Sequence, residues 1–368
     1  MAETLNYLVH RYGAHELQHI GVWDVDIEDK SKSKYWIIYI HGGAWRDPRI
    51  SHQTFAPIIS RIVQPQTNPP PSTHPHPNPS TPNSTSLSPS RSTSAPTSSH
   101  ANPAPSNANA NPTPAIAFIA AFASLDYRLS PHPSFPQDPA TTPARRFRGA
   151  RHPDHLRDVR AAIAFLQRRY GFGDRYVLAG HSCGGFMAYQ VLLGAEFAAG
   201  GEGEWEGGEE AEEEEGWEII ASPSPSPSLT PPQAVFGIEG IYDLAGLNAR
   251  FQDSYTEFLS GAFGPPSPSW DAVSPMKCAS SRRYGDLFPG GLAVLGHSPD
   301  DELVDMPEAD GMAARLRRDG VKEVWLDKGL KGTHDGVWGD GREVARVVGR
   351  ILEVLRAREG MKGADRPT

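Results

Sequence analysis

The 368-residue chain predicts an α/β fold, a mostly parallel central sheet flanked by helices and interrupted by two low-complexity insertions. Three observations carry that expectation. Apolar strand-like runs alternate with helix-like stretches, the pattern of strands joined by crossover helices. Two of those strands run directly into glycine-containing turns, His41-Gly42-Gly43-Ala44-Trp45 and Gly180-His181-Ser182-Cys183-Gly184. Two segments, 64–114 and 199–232, are built of residues that cannot form a core, which leaves a single domain distributed over 1–368.

The elements follow in order. Tyr35–Ile40 is a β-branched and aromatic strand, and a helix follows Thr54. Segment 64–114, rich in Pro, Ser, Thr, Asn and His, buries too little apolar surface to offset its ordering entropy and reads as a disordered insertion. Ala115–Phe122 is expected to be the next strand. From Pro153 to Tyr170, Leu156, Val159, Ala162, Ile163 and Leu166 recur at helical spacing, with Pro153 in the first turn. A strand then enters the turn at 180–184, and a helix runs on to about Glu196. Segment 199–232 begins with an acidic run and ends in a Ser/Pro alternation, a second disordered insertion. Beyond it, Ala234–Ile238, Gly291–Gly296 and Val321–Leu326 read as strands, and Tyr255–Phe263, Met306–Arg318 and Arg342–Arg356 as helices. The stretch 255–263 is placed to cap a site at the carboxyl ends of the strands.

Composition excludes several functions. The net charge of −9 comes from the glutamates between Glu202 and Glu218, where no Lys or Arg intervenes, and the remainder of the chain is close to neutral. No basic patch points to nucleic acid. Cys183 and Cys278 are too few for a disulfide framework. The first residues carry no basic leader, and the longest apolar run, Ala115 to Ala123, is too short to cross a bilayer. The expectation is a soluble cytoplasmic protein with no nucleic-acid or membrane partner. No nucleotide loop or metal-ligand spacing occurs, so neither cofactor nor metal is expected.

The chemistry begins at Ser182. A G-x-S-x-G at the end of a strand is a nucleophile elbow, the signature of the α/β-hydrolase fold. The strand turns so sharply that the hydroxyl stands clear of the sheet, and the N-terminus of the next helix is aimed at the same point. A serine needs an imidazole to take its proton and a carboxylate to orient that imidazole. In this fold the acid and then the histidine follow the serine along the chain. Beyond Asp301 the chain has a single histidine, His334, in a Gly-flanked loop between the last strand and the last helix. The loop after Gly296 offers Asp300, Asp301, Glu302 and Asp305; Asp301 is the chosen acid, with Asp300 second. The HGG-type turn after Tyr35–Ile40 supplies an oxyanion site, with the N–H groups of Gly43 and Ala44 as donors beside that of Cys183. His41 and His181 are read as packing residues of the loop and the elbow.

These segments resemble one family. His41-Gly42-Gly43-Ala44-Trp45-Arg46-Asp47-Pro48, Tyr127-Arg128-Leu129-Ser130-Pro131, Gly180 to Gly185, His297-Ser298 before Asp301-Glu302-Leu303, and Gly332-Thr333-His334 together resemble the fungal kynurenine formamidases. The resemblance implies an enzyme that cleaves N-formyl-L-kynurenine to formate and L-kynurenine, in tryptophan catabolism and towards NAD. It also implies a homodimer without metal. Its nucleophile, acid and base fall on Ser182, Asp301 and His334. Trp45, Phe186 and Tyr242 are candidates for the apolar wall against the substrate ring. A general carboxylesterase and a non-catalytic ligand-binding protein on the same scaffold are the alternatives.

Overall fold

The computed structural model describes residues 5–29, 33–64, 114–194, 229–266, 268–279 and 283–364. Contacts set Pro65–Pro114 apart as its own unit, and the elements below belong to the unit of Met1–Gln64 and Ala115–Thr368. The insertions expected at 64–114 and 199–232 lie, apart from their margins, outside the described residues.

Eight strands form one sheet among the described residues: β1 (Asn6–Arg11), β2 (His19–Asp24), β3 (Tyr35–Ile40), β4 (Ile119–Leu125), β5 (Tyr176–His181), β6 (Ala234–Ile238), β7 (Leu292–Gly296) and β8 (Glu323–Asp327). Their spatial order is β1-β2-β4-β3-β5-β6-β7-β8. β1 and β2 are antiparallel to each other, and β2 is antiparallel to β4; the rest of the sheet is parallel. Every residue of β3 and β5 is buried, as central parallel strands covered on both faces must be.

The two-residue period of the strands sorts their side chains. Trp36, Ile38 and Ile40 join one core with Leu178, while Tyr35, Ile37 and Tyr39 join the other with Val177 and Ala179. Helix α1 (Ala56–Val63) lays Ile58, Ile59 and Ile62 on the second core. Helices α2 (Asp154–Tyr170) and α3 (Cys183–Leu192) cover the first with Leu156, Val159, Ile163, Phe186 and Met187. Four short helices follow β6: α4 (Leu244–Arg250), α5 (Thr256–Phe263), α6 (Pro268–Val273) and α7 (Tyr284–Leu287). Helix α8 (Met306–Arg318) returns to the first core through Met312 and Leu316. After α9 (His334–Asp340), helix α10 (Arg342–Ala364) closes the second core with Val344, Val347, Val348 and Ile351. Each such side chain fully removed from water contributes about 1.5–3 kcal/mol.

The structure departs from the sequence expectation in several places; β8 begins at Glu323 rather than Val321, and Pro153 caps α2 rather than lying in its first turn. Ala115–Phe118 is a 3₁₀ turn, and the strand begins only at Ile119. Tyr35, the first residue of β3, pairs with Ile119, so residues before 119 find no neighbour to ladder with. The antiparallel pair β1–β2 was not anticipated, because β1 lies at the sheet edge with most of its residues exposed and lacks a clean alternation. His334 does not lie in an open loop: it is the first residue of α9.

Candidate active site

The elbow is built by steric necessity. Between β5 and α3, Ser182 takes φ 54° and ψ −121°, a backbone conformation that costs a non-glycine residue on the order of 1–3 kcal/mol. It is held there because its N–H donates to the Ile238 carbonyl at 2.9 Å and its own carbonyl accepts from Gly185 at 3.0 Å. A Cβ on Gly180 would lie 2.2 Å from the Gly184 carbonyl oxygen, and one on Gly184 would lie 2.1 Å from that of Ile40. Both positions must therefore be glycine, which is the physical content of the G-x-S-x-G pattern.

The neighbouring strand β3 pairs with β5 in parallel, Ile40 opposite Gly180, so its loop emerges beside the serine. Gly43, Ala44 and Trp45 have φ of 94°, 50° and 60°, three consecutive residues in the left-handed region. Gly43 and Ala44 line the same cavity as Ser182. The loop is pinned from several directions. The Gly43 carbonyl accepts from the N–H groups of Arg46 at 3.0 Å and Asp47 at 2.9 Å. The Trp45 N–H donates to Cys183 Sγ at 3.4 Å, and the Trp45 ring packs edge-on against Phe186 and Phe263. Burial pushes the Cys183 thiol up to about 11, so it packs as a neutral group. At the start of α3 the Gly185 and Phe186 N–H groups donate back to the Ser182 carbonyl, whereas those of Cys183 and Gly184 precede any helical acceptor.

The Tyr127–Pro131 segment braces the same loop. Tyr127 Oη donates to the carbonyls of His41 and Gly42, each at 3.1 Å, and the Ser130 N–H donates to the Trp45 carbonyl at 2.9 Å. Arg128 grips the buried Asp158 through Nε and Nη2 at 2.9 and 2.8 Å.

Behind the loop lies a cluster that sequence reasoning missed. Asp126, buried just after β4, accepts from His52 Nδ1 at 2.6 Å, the His52 N–H at 2.6 Å, His19 Nε2 at 2.7 Å and His41 Nε2 at 3.2 Å. Burial alone would raise its carboxyl; hydrogen bonds from His19, His41 and His52 outweigh that and hold it well below the usual carboxylate range. His41 Nδ1 lies 2.8 Å from the Gly42 carbonyl oxygen. The histidines stand 2.6 and 2.7 Å from one carboxylate oxygen. Two ligands of a single zinc at ~2.0–2.1 Å would sit about 3.3 Å apart, so these contacts are hydrogen bonds and not an ion's coordination shell.

On the other side of Ser182, Thr333 caps α9 by accepting from the Gly336 N–H, and this sets the orientation of His334. His334 Nδ1 lies 2.9 Å from Asp301 Oδ2. Asp301 Oδ1 accepts from the N–H groups of Leu303 and Val304, each at 2.9 Å, so both oxygens of this buried side chain are engaged. Asp300 is exposed. His181, at the end of β5, donates from Nε2 to the His334 carbonyl at 3.0 Å. Burial and the adjacent His334 ring hold its imidazole well below its ordinary value, so it stays neutral.

Ser182, His334, Gly42, Gly43 and Ala44 line one cavity of about 270 Å³. Its apolar wall is made by Tyr255, Phe258, Leu303 and Trp338. The aromatic residues expected there lie elsewhere: Trp45, Phe186 and Tyr242 are 1%, 0% and 0% exposed and belong to the first core. Trp45 and Phe186 are turned inward by their mutual packing, and Tyr242 stacks edge-on against Tyr189. A larger open groove of about 680 Å³ between β8 and α10 is lined by Trp325, Lys328, Arg346 and Arg350 and contains neither serine nor histidine. The two cysteines, both buried, form no disulfide among the described residues. No helix of the described residues is long and apolar enough to cross a membrane.

No protein-family model matches the chain. Solved structures with a similar backbone include an esterase/lipase from an uncultured bacterium (TM-score 0.53, 14% identity, covering 97% of this chain and 85% of that one). Another is a truncated carbohydrate esterase from gut microbiota (TM-score 0.53, 13% identity, covering 96% and 99%). At such identities the likeness speaks for the fold, which, with the strand–elbow–helix geometry, is the α/β-hydrolase fold. Among curated proteins, the chain is 30% identical to kynurenine formamidase avaC of Aspergillus versicolor, over 84% of this chain and 85% of that protein. It is 32% identical to the kynurenine formamidase-like hydrolase fscH of Fusarium equiseti, over 88% and 84%. The chain belongs to the kynurenine formamidase family, and it is a hydrolase.

Proposed function

We propose that this hydrolase cleaves N-formyl-L-kynurenine to L-kynurenine and formate, with Ser182 as nucleophile, His334 as base and Asp301 as its acid. The observation that carries the reading is the Asp301–His334 hydrogen bond at 2.9 Å, with His334 facing the same small cavity as the Ser182 elbow. His334 takes the Ser182 proton as the oxygen attacks the formyl carbon. The resulting oxyanion is received by the N–H groups of Gly43, Ala44 and Cys183; loss of one such donor typically costs ~10²–10³ in rate. The imidazolium, held by Asp301, then gives its proton to the departing arylamine nitrogen. A water activated by His334 attacks the formyl-serine, formate leaves, and Ser182 regains its proton. The aromatic wall of Tyr255, Phe258 and Trp338 suits the aryl ketone. On this reading the reaction belongs to tryptophan catabolism towards NAD, and the protein works as a cytoplasmic homodimer.

Comparison of kcat/KM for N-formyl-L-kynurenine and p-nitrophenyl acetate tests the substrate. The formamide is expected to be preferred; preference for the ester by orders of magnitude would refute the reading in favour of a general carboxylesterase.

A further inference from the structure

β6 ends at Ile238, and the next residue, Glu239, has φ 48°, a left-handed conformation in a non-glycine residue. Its side chain is fully buried, and the Ser298 amide approaches it short of full hydrogen-bond geometry. A carboxyl so poorly satisfied in a strained backbone position is costly, and such costs concentrate where the chemistry uses them. Glu239 Oε2 stands 3.7 Å from His334 Nδ1, the atom that Asp301 accepts from at 2.9 Å. It is also 3.7 Å from His181 Nε2, whose proton is committed to the His334 carbonyl. One imidazole N–H therefore faces two carboxyl groups delivered by two different strands, and their distances differ by less than an ångström.

We infer that Glu239 is a reserve partner for the His334 Nδ1–H, positioned to accept it when Asp301 no longer does. The inference rests on the reading of Ser182 and His334 as nucleophile and base. It makes Glu239 a positioning residue, acting on substrate only through His334.

The surroundings explain why Glu239 waits. It faces Asp301 and Glu302 from the loop after β7, Asp335 and His334 from α9, His181 from β5 and Tyr39 from β3. Burial and then the Asp301 charge push its carboxyl up to about 10, against the opposing effect of the Ser298 amide. At neutral pH Glu239 is therefore held protonated. Removing Asp301 deletes the second cause of that elevation and leaves burial, the largest, in place, so Glu239 gives up its proton only as the pH rises. Oε2 then needs to move by less than an ångström to accept from Nδ1. His334 keeps its Nδ1 proton and still takes the serine proton at Nε2, so the proton balance of the reaction is unchanged.

The test measures kcat on N-formyl-L-kynurenine from pH 6 to 10 for the wild type, S182A, D301A and D301A/E239Q. Deprotonated Glu239 is the acting form, so the D301A rate is expected to rise with pH and to exceed that of the double variant by at least tenfold at the upper end. The rise should vanish in D301A/E239Q. Equal rates and profiles in D301A and D301A/E239Q would overturn the inference. Because Asp301 also holds two loop amides, the pair D301N and D301N/E239Q provides the same comparison if D301A does not fold. Wild-type turnover in S182A would overturn the underlying site assignment, whereas an inactive S182A with indistinguishable D301A variants would overturn only the role of Glu239.

Discussion

Replacing Asp126 by asparagine tests whether the buried histidine cluster sets the loop that carries the proposed oxyanion donors. Asp126 accepts from four donors: His52 Nδ1, the His52 N–H, His19 Nε2 and His41 Nε2. An amide has one accepting oxygen, so whichever way the substituted side chain turns, its NH₂ opposes two N–H groups. Each buried donor left without an acceptor costs about 1–3 kcal/mol, so D126N should lose roughly 2–6 kcal/mol. For a domain of this size that is a fall of the order of 5–15 °C in Tm. The loss should depend on pH with a definite sign. Burial lowers His19, but its hydrogen bond to Asp126 outweighs that and leaves its folded value raised. A raised histidine contributes stability that is complete below its unfolded value of about 6.5 and is lost as pH climbs through the folded value. The Tm gap between wild type and D126N should therefore narrow from pH 6 to pH 8.5. Differential scanning fluorimetry across that range measures it, alongside kcat. A gap of under 2 °C at pH 6, or one that widens with pH, would refute the argument.

S182A and H334A should each lower kcat by a factor on the order of 10⁴ or more with KM little changed; normal turnover in either removes that residue from the mechanism. G184A places a methyl 2.1 Å from the Ile40 carbonyl, so it should cost at least ~1–3 kcal/mol and most of the activity, and an unaltered melting curve would contradict the crowding. W45A removes a buried anchor and should lower stability by ~3–5 kcal/mol; a rise in KM alone with an unchanged Tm would return Trp45 to the substrate wall. Deleting 66–112, which lies outside the described residues, should leave kcat within a few-fold if that segment is an insertion, and a larger loss would show that it shapes the pocket.

What could be read from sequence was set by how local its cause is. The runs 35–40, 234–238 and 291–296 are β-branched or apolar throughout and became strands, because central parallel strands are buried on both faces. The run 115–122 has the same composition, yet its first half found no partner strand, and composition carries no information about where a neighbour begins. At the site, the elbow and the loop were legible because their glycines answer contacts within the motif or with the next strand. Asp301 and His334, which lie 2.9 Å apart, were legible as a pair through chain order. Asp126 and Glu239 were not. Their partners are contributed by residues 19, 41 and 52 in one case and by residues 181, 301 and 334 in the other, and no spacing rule joins them. The aromatic wall failed to emerge for a related reason. Trp45 and Phe186 sit inside conspicuous motifs, but their rings serve the packing that holds those motifs, and the wall comes from Tyr255, Phe258 and Trp338 in less patterned sequence.

The pairing of β3 with β5 has a consequence for how such an enzyme can change. Five consecutive residue pairs, from Trp36–Tyr176 to Ile40–Gly180, fix the spacing between loop and elbow, and a shift by one residue would exchange the two cores. The parts proposed to handle the oxyanion are thus locked to the sheet and tolerate almost no drift. Tyr255 and Phe258, by contrast, belong to a short helix and its approach, outside any strand register. New acyl or aryl preferences can be acquired there by ordinary side-chain replacement, without renegotiating the machinery beneath.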